Sequence, residues 1–231
     1  MYLGKKIVVV IPAYNEEKNI GLVLNDIDKN ITTQIIVANN NSTDNTAAVA
    51  TKHGATVLLA STQGYGSACL TALNYIAING GCDIVVFIDA DYSDYPQQMD
   101  TLIQPILLHQ AQLVIGSRFK GKREKGSMTL PQVFGNKLAV LLINIFFGVR
   151  YSDLGPFRAI SWKALQQLNM EDKNYGWTVE MQVKAIKKGI TFAEVAVDYK
   201  NRATGKSKIS GTVKGTLLAG YKIIKTIFQY A

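Results

Sequence analysis

Two aspartates, Asp89 and Asp91, follow directly on the run Asp83-Ile84-Val85-Val86-Phe87-Ile88, with Ala90 between them. The run reads as a buried strand, so the carboxylates stand at a strand exit. There, each would cost several kcal/mol if buried without a partner. Oxygen ligands of this kind suit a hard divalent cation, Mg²⁺ or Mn²⁺, which keeps coordination positions open for the phosphates of a nucleotide. Aspartate is also a common turn residue, and a solvated acidic turn is the alternative.

Two further apolar runs end in the same way. Lys6-Ile7-Val8-Val9-Val10-Ile11 breaks at Pro12 and leads into Ala13-Tyr14-Asn15-Glu16-Glu17. Gln34-Ile35-Ile36-Val37-Ala38 leads into Asn39-Asn40-Asn41-Ser42-Thr43-Asp44. Three polar clusters thus follow three strands, and in an open parallel sheet the carboxyl edge is where ligands bind.

The elements that must position these clusters alternate regularly. Strands are expected at 6–11, 34–38, 56–59, 83–89 and 113–117, and helices at 17–29, 43–53, 66–78 and 95–109. Ser42 or Thr43 is expected to cap the second helix, with Asp44 in its first turn. Such alternation predicts an α/β fold with a mostly parallel central sheet flanked by helices. Beyond Ser117 comes a basic loop over 118–130, then helices at 131–147 and 177–188, a strand at 191–199 and a terminal amphipathic helix at 211–230.

The chain has 231 residues, 48% of them apolar, enough for one domain with a full core. We expect residues 1–117 to form one functional half, 118–210 a second, and 211–231 a C-terminal helix. A net charge of +8 favours acidic partners: nucleic acid, phosphorylated ligands or an anionic membrane. Nucleic acid is disfavoured, because the acidic pair would repel a phosphate backbone unless a cation intervened. The two cysteines, Cys69 and Cys82, form no C-x-x-C motif, and no signal-peptide pattern opens the chain, so a cytoplasmic setting is expected. The most apolar stretch, 138–148, is too short to cross a membrane. It reads as a core helix or an interfacial one.

Taken in order, these motifs resemble the family-2 glycosyltransferases of GT-A fold, and most closely their dolichyl- and polyprenyl-phosphate sugar transferase branch. The resemblance implies a nucleoside diphosphate sugar, UDP- or GDP-linked, as donor. It implies that Pro12, Ala13 and Tyr14 contact the nucleoside and that Glu16 binds the ribose hydroxyls. Asn39 and Asn40 stand where the family usually has two aspartates that meet the base, so the charge there is altered. Gly64, in Gly64-Tyr65-Gly66, falls in the glycine-rich turn that lets backbone approach the ligand. Asp91 is the implied direct metal ligand, and Asp89 meets the ribose or the metal's water shell. Arg118 follows a Gly-Ser pair and would face the acceptor phosphate or the sugar. Asp153 and Arg158 match the Asp and the Arg of an Asp-x-x-x-Gly-Phe-Arg type motif, with Gly155-Pro156-Phe157 where Ser-Gly-Phe is more usual in that branch, and Arg158 either meets the acceptor or pairs with Asp153. Glu180 lines the sugar pocket, pairs with a basic group, or belongs to a helix that merely packs Trp177 and Met181. Arg202 and Lys206 belong to a basic loop that would close on the diphosphate.

The implied reaction is an inverting single displacement, with cationic groups stabilising the leaving diphosphate. A lipid phosphate acceptor, such as a polyprenyl phosphate, is already an anion and needs no base. A hydroxyl acceptor needs one, and Asp153 is the candidate. The basic 118–125 loop and the apolar and Lys-bearing helices favour the lipid phosphate and a peripheral position on the inner face of the cytoplasmic membrane. A nucleotidyltransferase would need a glycine-rich basic loop where Ala13-Tyr14-Asn15-Glu16 stands. A nucleotide-sugar-binding protein without activity is the remaining alternative.

Overall fold

The computed structural model describes residues 2–205 and 213–231. Lys206 and the rest of 206–212 lie outside the described residues. Among the described residues seven strands form one sheet in the order β3-β2-β1-β4-β6-β5-β7. These are β1 (Ile7–Ala13), β2 (Gln34–Asn39), β3 (Thr56–Leu59), β4 (Ile84–Phe87), β5 (Leu113–Ser117), β6 (Arg158–Ser161) and β7 (Phe192–Ala196). All pairings are parallel except those of β6, which runs antiparallel to both β4 and β5. The carboxyl ends of β1, β2, β3, β4, β5 and β7 therefore share one edge.

Every residue of β1 is buried, as a strand covered on both faces requires. Its period-two alternation divides the core. Val8 and Val10 pack with α3 (Tyr65–Ile78), α5 (Leu130–Phe147), α6 (Trp162–Leu168), α7 (Trp177–Lys187) and α8 (Val213–Tyr230). Ile7, Val9 and Ile11 pack with α1 (Ile20–Asp26), α2 (Thr46–Lys52) and α4 (Met99–Leu107) on the opposite face.

The structure corrects several expected boundaries. The first two helices begin about three residues late, because residues 15–17 and 42–46 bond to each other instead of starting helices. Asn45, not Ser42 or Thr43, precedes α2, and it makes no side-chain cap. Such side chain-to-backbone bonding competes directly with helix initiation. The strand β6 and the helix α6 were not expected. The strand is only four residues long, and Ser161 then caps α6 by accepting from the Ala164 N–H.

The helix α5 ends at the expected residue 147 and begins one residue before the expected 131. Thr129 and Gln132 close a capping box ahead of it, and Gly148 ends it in the left-handed region. Its 18 residues, with a mean hydropathy of 1.5, are enough by length and composition to cross a membrane, which corrects the shorter stretch read from the sequence. It packs against α7 and α8, with Phe146 edge-on to Phe228 at 5.0 Å. Asn136 ties it to the domain by accepting from the Leu154 N–H and donating to the Ser152 carbonyl.

Candidate active site

The first two polar clusters hold one another. The Asn15 N–H donates to Ser42 Oγ (2.9 Å), the Glu16 N–H to Thr46 Oγ1 (2.8 Å) and the Thr43 N–H to Asn15 Oδ1 (2.7 Å). Asn15 and Asn41 adopt positive φ, which asparagine tolerates, and so does the bulkier Tyr92 after β4. Tyr92 is held there by its hydroxyl bond to the Asp26 carboxylate and by Lys200 Nζ, 3.2 Å from the ring centroid. Left-handed residues thus turn the chain at three neighbouring strand ends.

Within this frame Glu16, Asp89 and Asp91 line one cavity of about 350 Å³, together with Pro12, Ala13 and Tyr14. Arg202 reaches in from the segment after β7. It donates to Glu16 Oε1 at 2.9 Å and to Asp91 Oδ2 at 2.8 Å. Asn19 and Thr204 bond to each other and fasten the same segment. Asp89 accepts from the Tyr65 hydroxyl at 3.0 Å. Burial and the neighbouring Asp91 push its carboxyl up to about 7. Asp94 completes the acidic run. It is buried, neither carboxylate oxygen has a hydrogen-bond partner among the described residues, and burial followed by Asp89 raises it well above the usual range.

This donor set fits a divalent cation. Among the described residues no cluster of three or more His, Cys, Asp or Glu is arranged as a complete metal cage. A cation of the Mg²⁺ class typically takes one or two carboxylates and completes its shell with water and phosphate. The guanidinium on Asp91 is a positive stand-in for the charge the carboxylates call for.

Asn40 lines the same cavity, but its amide is fully engaged. It accepts from the Gly64 N–H at 2.7 Å and donates to the Ala60 and Thr62 carbonyls. Asn39 accepts from the Ser42 N–H at 3.1 Å. Asn40 thus spends its amide on the cavity wall, Asn39 lies outside that lining, and an aspartate could not make the two donations of Asn40. The glycine turn also has a structural cause. A Cβ on Gly64 would lie 2.0 Å from the Lys173 carbonyl, and one on Gly66 would lie 1.9 Å from that of Asp172. The loop between α6 and α7 presses against this turn and brings Asn174 and Tyr175 into the cavity wall.

A second cavity of about 320 Å³ adjoins the first and shares Tyr65, Asp89, Asp91, Tyr175 and Arg202 with it. Its remaining wall comes from α5, α7 and α8, with Arg118, Met128, Leu154, Pro156 and Tyr199. Arg118 donates three times to the buried Asp153, from its backbone N–H, Nε and Nη2 at 2.9, 2.8 and 2.7 Å. Burial opposes the charge on Arg118, but Asp153 overcomes it and raises the pKa. Tyr199 lies under the guanidinium, 5.1 Å from its carbon to the ring centroid.

Arg158 is corrected as an acceptor contact, and of the roles expected for Glu180 the pairing with a basic group is the one found. Arg158 is fully buried and donates to the carbonyls of Leu154, Gly155 and Thr178, so it reaches neither Asp153 nor a cavity. It knits the 154–158 turn to α7. Glu180 is also buried. It pairs with Lys184 at 2.7 Å and accepts from the Glu171 and Asp172 N–H groups. Glu180 therefore holds the loop that carries Tyr175, instead of meeting ligand.

The sequence reading missed the cavity roles of Tyr65, Asn174 and Tyr175 and the orphaned Asp94. Tyr65 sits inside Gly64-Tyr65-Gly66, and Asp94 extends the acidic pair, so both carried a signal. Asn174 and Tyr175 carried none, because only tertiary packing delivers them.

A GT-A sheet with an acidic, arginine-bridged cleft at its carboxyl edge is the architecture of a glycosyltransferase. Residues 8–168 match Glycosyl transferase family 2, and the chain belongs to that family. An uncharacterised glycosyltransferase of Mycobacterium tuberculosis is 33% identical over 218 residues, 94% of this chain and 95% of that protein. UDP-N-acetylglucosamine–dolichyl-phosphate N-acetylglucosaminyltransferase of Methanococcus voltae is 30% identical, covering 95% and 93%. Undecaprenyl-phosphate mannosyltransferase of Micrococcus luteus is 28% identical, covering 91% and 90%. Among solved structures, glucosyl-3-phosphoglycerate synthase of Mycobacterium tuberculosis, in complex with Mn²⁺, UDP and glucosyl-3-phosphoglycerate, superposes with a TM-score of 0.75. It is 24% identical, covering 99% of this chain and 80% of that one, a likeness of fold.

Proposed function

We propose that this glycosyltransferase moves a sugar from a UDP- or GDP-linked donor to a polyprenyl-type lipid phosphate, with inversion and with Mg²⁺ or Mn²⁺. The carrying observation is the pair of adjoining cavities whose common wall is Asp89, Asp91 and Arg202. The first would hold the nucleotide, with Glu16 on the ribose and the diphosphate at the common wall. Asp91 and Asp89 would hold the cation, which supplies Lewis-acid neutralisation of the leaving diphosphate. Arg202 adds a bidentate donor to the same charge. Lys206, four residues on, is assigned to the diphosphate by the family resemblance alone.

The second cavity would hold the acceptor. The N–H groups of Arg118 not used by Asp153 have no hydrogen-bond partner among the described residues, and they suit a phosphate. The phosphate oxygen would attack the anomeric carbon as the bond to the diphosphate breaks on the opposite face. Asp153 is committed to Arg118, so in this reading it orients the arginine and takes no proton. A phosphate acceptor needs no base. Relatives named for dolichyl and undecaprenyl phosphate support the same acceptor.

Leu141, Ile145, Leu217, Leu218, Tyr221 and Phe228 on α5 and α8 are exposed. With the basic 118–125 loop they favour a peripheral seat on the inner face of the cytoplasmic membrane.

Calorimetry of UDP and GDP with Mn²⁺ and Mg²⁺ on the wild type and Asp91→Asn tests the donor half. One nucleotide should bind with metal and lose affinity in the variant, and no binding at all would refute it. Transfer to detergent-solubilised polyprenyl phosphate, compared with the free polyprenol, tests the acceptor half. Equal transfer to both would refute the phosphate.

A further inference from the structure

Asn40 spends its amide on the wall of the first cavity and Asn39 lies outside its lining, so a base seated there needs another reader. Two other amides line that cavity, Gln63 and Asn174. Both residues are exposed, and neither side chain makes a hydrogen bond among the described residues. Their backbones, by contrast, are fixed. Gln63 precedes Gly64, whose N–H donates to Asn40 Oδ1 at 2.7 Å. Asn174 follows Lys173, whose carbonyl accepts from the Ser67 N–H at 2.9 Å. The Asn174 N–H donates to Asp172 Oδ1 at 2.7 Å, and Asp172 also accepts from the Gly176 N–H and pairs with Lys222. Two unused amides thus stand on two braced turns that press against each other at Gly64, which is how a binding wall is preorganised.

We propose that Gln63 and Asn174 read the base of the donor nucleotide. The inference rests on the donor reading above, which puts the diphosphate at Asp89 and Asp91 and the ribose at Glu16. In the sheet order β3-β2-β1-β4 those residues follow β4 and β1, while Asn40 follows β2 and Gln63 follows β3. The strand β2 stands two strand spacings from β4, about 10 Å. A nucleotide lying along this edge therefore brings its base to the β2 and β3 end, where Gln63 stands. The loop bearing Asn174 packs on the glycine turn at that same end. A carboxamide donates and accepts through adjacent atoms. It answers the N–H beside a carbonyl that uracil and guanine both carry. The purine holds that edge farther from the ribose than the pyrimidine does, so amides on fixed turns favour one base over the other.

The test uses Gln63→Ala and Asn174→Ala, each made singly. UDP, GDP and inorganic pyrophosphate are titrated with Mn²⁺ into wild type and variants, and melting is recorded for each. Pyrophosphate carries the phosphates without a base, so it reports on the diphosphate end alone. The wild type should prefer one of the two nucleotides. Each variant should bind that nucleotide roughly 3- to 10-fold more weakly and discriminate less between UDP and GDP, with pyrophosphate affinity unchanged. A merely structural role would weaken nucleotide and pyrophosphate together or move only the melting temperature, and either result overturns the proposal. Full discrimination retained in either variant also overturns it. Should an alanine variant melt well below the wild type, Gln63→Met and Asn174→Leu, which keep the bulk without the amide, are held to the same outcomes. A wild type that binds UDP and GDP equally overturns the base reading and leaves the donor site standing. A wild type that binds no nucleotide refutes the donor reading and takes this inference with it.

Discussion

Arg118 and Asp153 form a closed, bidentate ion pair, with the backbone N–H of Arg118 as a third donor to the same carboxylate. The aspartate is fully buried and the arginine nearly so. Removing one partner strands the other's charge in the interior, at a cost of about 3–5 kcal/mol. Asp153→Asn should therefore lower stability by an amount in that range, measured by urea denaturation. If Asp153 were a solvent-reaching general base, the same variant would lose turnover while melting like the wild type.

Arg202 makes a different prediction, because its charge is shared between two ligand-binding carboxylates. Without it Glu16 and Asp91 each lose the ion pair with Arg202. Partial exposure limits the stability cost of Arg202→Gln to about 1 kcal/mol. Added Mn²⁺ should raise the melting temperature of the variant more than that of the wild type, since a cation supplies what the guanidinium gave. Turnover should fall by about 100-fold or more, as for loss of one charge-stabilising donor in a transition state. Identical Mn²⁺-induced shifts in the two proteins would count against the cationic stand-in.

Asn40 tests why this chain departs from the acidic pair usual at that position. Its amide donates to the Ala60 and Thr62 carbonyls and accepts from the Gly64 N–H. Asn40→Asp replaces two donations by carboxylate–carbonyl repulsion. The expected loss is about 2–3 kcal/mol, with weaker nucleotide binding as the 60–64 wall loosens. A variant as stable as the wild type would mean that the amide has partners it can replace.

The parallel frame was legible because β1, β2 and β4 are continuous apolar runs, each followed by a polar turn. The acidic pair was legible for the same reason. What escaped depends on contacts distant in sequence. Arg158 looks like a ligand-binding arginine in its motif, yet three backbone carbonyls absorb it. Glu180 looks like a pocket acid, yet it pins the 171–172 backbone. Gly64 and Gly66 announce a close approach, but the approaching group is the 172–173 backbone, about a hundred residues later. Sequence reports that such residues are special, and only packing tells what they touch.

The acidic cluster sets a pH dependence whose sign can be worked out. Asp89 is pushed up to about 7 by burial and then by Asp91, while Tyr65, Arg118 and Arg202 pull it down. Asp94 is raised by burial and then by Asp89 and Asp91. An unfolded aspartate titrates near 3.9. Between about pH 4 and 7 the folded chain holds more protons at this site than the unfolded one. Stability then falls as pH rises through that window. The contribution of Asp89 is full below about pH 4 and is lost as pH passes about 7. In buffer free of metal and nucleotide, melting should therefore be higher at pH 6 than at pH 8, and Asp89→Asn should flatten the difference. Mn²⁺ favours the ionised carboxylates, so it should stabilise the chain more at pH 8 than at pH 6. Melting curves at both pH values, with and without Mn²⁺, decide the matter. A wild type that melts lower at pH 6 than at pH 8 without metal would show that Asp89 is ionised throughout.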